Sequence, residues 1–151
     1  MSGDLIARRH ERSGRTAIVA DEGDSVWLYL TAPRERRIAA DCWLLNRIPA
    51  PSGDVLRSRL DHYRSQAVPP PAPAEEVGPG ALRASALSAA DVDLTWSQDG
   101  EAVAAWVDGQ PVGYLAAGDR RGHSRHLSVA GRWGAAWDEA EFRRLFPPTV
   151  A

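Results

Sequence analysis

The sequence predicts an α+β domain. It reads as an antiparallel, twisted sheet of about five to six strands with one or two short helices, one of them C-terminal. Three observations carry this reading. Short runs of alternating, β-branched and aromatic residues recur, separated by Gly, Pro and Asp clusters. Asp108-Gly109, set between two such runs, is the two-residue signature of a type I′ hairpin. Asp138 followed by Glu141, with Trp137 before and Phe142 after, combines a capping box with a hydrophobic staple.

The elements follow in chain order. Residues 16–20 form a short apolar run, and Asp21-Glu22-Gly23-Asp24 is a turn cluster. In 25–31 (SVWLYLT), alternation puts Val26, Leu28 and Leu30 on one face and Trp27 and Tyr29 on the other. Such a strand is covered on both sides, or its aromatic face meets a partner. Pro33 and the charged run 34–37 mark the next turn. Residues 38–48 read as a further strand, with Ile38, Ala40, Cys42 and Leu44 on one face and Asp41, Trp43 and Leu45 on the other. Pro49 and Pro51 end it. Ser52 or Asp54 caps a helix reaching about Gln66, with Leu56, Leu60 and Tyr63 on one stripe.

Five prolines and two glycines fall in residues 68–80, which favours extended polyproline geometry. We read 68–90 as a surface excursion within a single domain spanning 1–151. Residues 92–97, 102–107 and 110–117 form a three-stranded meander, in which Pro111 favours an edge position for the third strand. The last helix starts at Asp138 and stops before Pro147-Pro148, docking through Phe142, Leu145 and Phe146.

Composition narrows the function classes. The 151 residues carry 18 basic and 20 acidic groups, a formal net charge of -2, which argues against a protein that coats nucleic acid through many phosphate contacts. No run approaches the ~20 apolar residues of a membrane-spanning helix. Cys42 is the one cysteine, so no disulfide framework is possible. With no apolar leader-like segment near the N-terminus, a reducing cytoplasm is the expected compartment. All 18 basic residues are Arg, and 25 residues are Ala, which points to codon bias more than to anion binding.

Six tryptophans are many for this length. The plain reading is a small core made of large residues. The functional reading is an aromatic binding face, since Trp and Arg dominate interface hot spots. Gly131-Arg132-Trp133-Gly134 is the best candidate for an exposed loop, and Arg121 and Arg125 extend it into a basic patch. Arg132, Trp133, Arg125 and Arg121 are therefore the expected partner-binding residues. The competing expectation is a small-ligand or catalytic pocket lined by Trp27, Tyr29, Asp41 and Trp43, with His126.

Other chemistry has less support. His123 and His126 would point to opposite faces of a strand, and no second ligand pair appears, so no metal site is expected. Cys42 and Ser124 lack the strand–turn–helix setting of an activated nucleophile. No phosphate-cradling loop is present, and no cofactor is expected. Trp-Ser-Gln-Asp-Gly at 96–100 looks like the turn of a propeller blade, but one copy makes only a hairpin.

The order DEGDSVWLYL, DCWLLN, WSQDGEAVAAWVDGQPVGYL, RRGHSRHL and a Trp-Gly…Trp-Asp tail resembles a small bacterial family of uncharacterised cytoplasmic proteins, a domain of unknown function. The likeness covers residues 16–48 and 92–146 and breaks across the proline-rich stretch. It implies the fold and carries no catalytic residues. The expected function is a non-enzymatic protein-binding module, of the immunity or antitoxin kind, binding neither nucleic acid nor membrane.

Overall fold

The computed structural model describes residues 3–148. It has the α+β architecture, with the strands divided between two sheets. The first sheet is an antiparallel meander of β1 (Asp4–Arg9), β2 (Thr16–Asp21), β3 (Ser25–Thr31) and β4 (Ile38–Asn46). The second holds β5 (Val92–Trp96), β6 (Ala102–Val107), β7 (Gln110–Ala116), β8 (His123–Ser124) and β9 (Ala135–Ala136), antiparallel except for the β8–β9 pair. Helix α1 (Gly53–Ser65) follows β4, and α2 (Glu139–Leu145) closes the described chain.

The two sheets face each other across one core. Val19, Val26, Leu28, Leu30, Cys42 and Leu44 from the first sheet meet Val103, Ala105, Val107, Val112 and Leu115 from the second. The alternation in β3 does what its sequence requires. Val26, Leu28 and Leu30 enter this core, while Trp27 enters a second cluster on the outer face of the first sheet. That outer cluster packs Trp27 and Trp43 beneath Leu56 and Tyr63 of α1, with Ala72, Ala81, Leu127 and Trp133. Close approach of the sheets depends on small residues. A Cβ on Gly113 would lie 2.4 Å from Leu44 Cδ2 and 2.9 Å from Cys42 Sγ.

Two local expectations are corrected. Leu45 was expected beside Asp41 and Trp43, but it joins Leu44 in the inter-sheet core. The cause is a bulge: Val26 pairs with Leu45 and Trp27 with Trp43, so Leu44 is an extra residue and the alternation slips. Pro111 does not mark an edge. β7 is central, between β6 and β8, but Pro111 lies outside the β8 pairing, so its missing N–H breaks no bond there. The 68–90 excursion lies over the outer face of the first sheet. Its first half is a strap across the outer cluster, with Pro71 and Ala72 fully buried.

Asn46 clamps that strap. Its Oδ1 accepts from Trp43 Nε1 at 3.0 Å and from Ala72 N at 2.9 Å, and its Nδ2 donates to Ala72 O at 2.9 Å. Backbone bonds from Asn46 N to Ala81 O and from Arg83 N to Asn46 O fix the return of the strap. Helix α1 is held at both ends. The Ser52 side chain accepts from Val55 N, Glu75 accepts from Gly53 N at 2.6 Å, and Tyr63 Oη donates to Asp24 Oδ2 at 2.7 Å.

A groove between helix α1 and the 130–133 loop

Trp133 is the clearest correction to the expected binding face. It is 8% exposed, part of the outer cluster, and its Nε1 donates to Pro70 O at 3.1 Å. The flanking glycines do not open a loop around it. Gly131 and Gly134 exchange backbone hydrogen bonds, which folds the turn tightly and turns the indole inward. Arg132 stays exposed.

The burial of Trp133 creates a groove rather than a protrusion. A depression of about 580 Å³ runs between α1 and the loop. Leu56, Leu60 and Trp133 give it apolar lining, and Arg57 and Arg132 also border it. Glu76 of the strap lines it too, and its Oε1 is buried with no hydrogen-bond partner. Burial raises the Glu76 carboxyl above the usual range and neighbouring Glu75 adds to this, while Arg132 pulls the other way. Gly131 must lack a side chain here, because a Cβ would run into Glu76 Oε1.

The remaining expected partner residues lie elsewhere. Arg125 stacks over Trp137 with its guanidinium carbon 4.2 Å from the ring centroid, and its Nε donates to Pro111 O at 2.6 Å. Arg121 lines a separate cavity of about 510 Å³ with Arg120 and Asp41. Arg121, Arg125 and Arg132 thus form no single patch.

The expected aromatic pocket does not form as one site. Trp43 is fully buried and Trp27 is 6% exposed, so both fill core instead of lining a cavity. Tyr29 stacks on Trp27 and its hydroxyl donates to Glu22 Oε2 at 3.1 Å. Burial, reinforced by Glu22, pushes the Tyr29 phenol far up. Asp41 keeps a cavity position because Asp41 N donates to Arg120 O and Gly122 N donates to Asp41 O, pinning the arginine turn beside it. Desolvation raises the Asp41 carboxyl although Arg121 and Arg120 oppose it. His126 lines a different cavity from Asp41. Its Nδ1 lies 3.1 Å from Pro79 O, and burial lowers its pKa.

The two paper nucleophiles are enclosed. Cys42 and Ser124 are fully buried, and burial pushes the Cys42 thiol up. Among the described residues, no group of three His, Cys, Asp or Glu side chains comes together to hold a metal ion. No helix of the described chain is long and apolar enough to cross a membrane.

Sequence reasoning reached Arg132 and Trp133 but missed Arg57, Glu76 and the role of Leu60. The GRWG turn was the local signal. Its partners come from a helix and a strap more than 50 positions earlier, and only tertiary structure joins them. Comparison with protein-family models, with curated proteins and with solved structures finds no match for this chain.

Proposed function

We propose that this chain is a non-enzymatic protein-binding module, of the immunity or antitoxin kind, that docks its partner in the groove between α1 and the 130–133 loop. One observation carries the reading: a depression lined by Leu56, Leu60, Trp133 and Glu76 is bordered by two exposed arginines. Anchors in well-packed apolar pockets surrounded by polar rims are the usual energetic centre of protein interfaces. We also propose membership of the bacterial cytoplasmic family that the motifs resemble.

The test compares capture by the wild-type chain with capture by Arg57→Glu/Arg132→Glu. A stoichiometric protein partner held by wild type and lost by the double variant is the expected result. A partner retained equally by both, or no protein retained, overturns the reading.

A small-ligand reading keeps one observation in its favour, the cavity where Arg120 and Arg121 flank Asp41. Neither arginine closes an ion pair with that carboxylate within 4.0 Å. A thermal-shift screen of small anions reads this directly, because a ligand bound there raises Tm in wild type and not in Arg121→Ala.

A further inference from the structure

We propose that the groove takes an extended acidic peptide segment carrying one large apolar side chain. The inference rests on the docking reading above and names the partner's chemistry. Two features define it. Leu60, with the small exposed edges of Leu56 and Trp133, supplies the apolar part of the groove of about 580 Å³. Arg57 and Arg132 border that surface, so the segment entering it meets positive charge. Arg57 holds Asp54 at 3.3 Å, but both side chains are largely exposed, so that pair exchanges readily for a partner carboxylate. Arg132 makes no close ion pair among the described residues and interacts with Glu76 at longer range.

Glu76 Oε1 takes no part in this contact, because it is buried against the Gly131 backbone. An apolar side chain over Leu60 and a carboxylate toward Arg57 or Arg132 occupy neighbouring positions of one short segment.

The experiment uses the full chain and a positional-scanning library of N-acetylated heptapeptides. The comparison variants are Arg57→Glu/Arg132→Glu and Leu60→Glu, each first checked for a wild-type unfolding curve and tryptophan near-ultraviolet spectrum. The expected result is enrichment of a large apolar residue beside Asp or Glu. Affinity should fall about tenfold or more in Arg57→Glu/Arg132→Glu, which should now favour Lys or Arg at the acidic position. Enrichment of an apolar residue without an acidic neighbour, abolished by Leu60→Glu, overturns the acidic assignment and leaves the docking reading standing. Enrichment no greater than that of Leu60→Glu overturns both. A labelled single-stranded oligonucleotide that binds with the same variant sensitivity overturns the peptide assignment.

Discussion

Asn46 shows how much one buried polar side chain settles. It satisfies Trp43 Nε1 and both backbone groups of Ala72 from a position 1% exposed. Asn46→Ala leaves these groups buried without partners, and each such group costs about 1–3 kcal/mol. We expect a loss of about 3 kcal/mol or more in urea unfolding, with the groove-side strap exchanging amide hydrogens fastest. Gly113 is decisive for a different reason. A Cβ there meets Leu44 and Cys42 across the sheets, so Gly113→Ala should cost about 1–3 kcal/mol by overpacking. In the double variant with Leu44→Ala, the total should fall short of the sum, because the vacated space accepts the methyl group.

Glu76 makes the pH prediction. Its folded pKa is raised, so between the ordinary value of 4.5 and the raised one the folded state holds more protons than the unfolded state. Stability from this group therefore falls as pH rises through that window. Glu76→Gln should flatten the slope and raise stability relative to wild type above the window. Urea midpoints of the two proteins across the window read it, and parallel curves would contradict the assignment.

At the scale of elements, local signals were legible where local physics sets the structure. The Asp108-Gly109 turn has both residues at positive φ, as a type I′ turn requires. The Asp138 side chain accepts from Glu141 N at 3.0 Å, and Trp137 packs on Phe142 at a centroid distance of 4.8 Å, as the N-cap and staple implied, but the Glu141 side chain accepts from Tyr114 Oη instead of completing the capping box. Asp138→Ala should therefore cost about 1 kcal/mol and loosen α2. Loss of the Tyr114 hydroxyl contacts to Glu141 Oε1 and Asp138 O in Tyr114→Phe should act on the same helix, and exchange rates of α2 amides check both.

What stayed illegible depended on distant partners. β1 reads as charged because Ile6 is its only buried side chain. β8 and β9 are two residues each, too short for any periodicity, and exist through pairing with β7 and with each other. The slip at Leu45 comes from a bulge that alternation cannot reveal. The inward turn of Trp133 depends on Pro70, 63 positions away, so an indole between two glycines looked exposed.

The whole molecule is a two-sheet sandwich with unlike outer faces. The first sheet's outer face is closed by α1, the strap and Trp133. On the second sheet, Val107 and Ala105 face the core, so Trp106 between them points to the opposite outside. Docking in the groove must therefore be felt at one tryptophan and not at the other. The most direct measurement is a titration of indole-¹⁵N-labelled full chain with the peptide N-acetyl-Gly-Phe-Glu-Glu-Gly-amide, following the indole N–H signals. The Trp133 signal should shift in a saturable way, Trp106 should stay in place, and Arg57→Glu/Arg132→Glu should abolish the shift. Movement of Trp106 with Trp133 unchanged, or no saturable movement of Trp133, would contradict it.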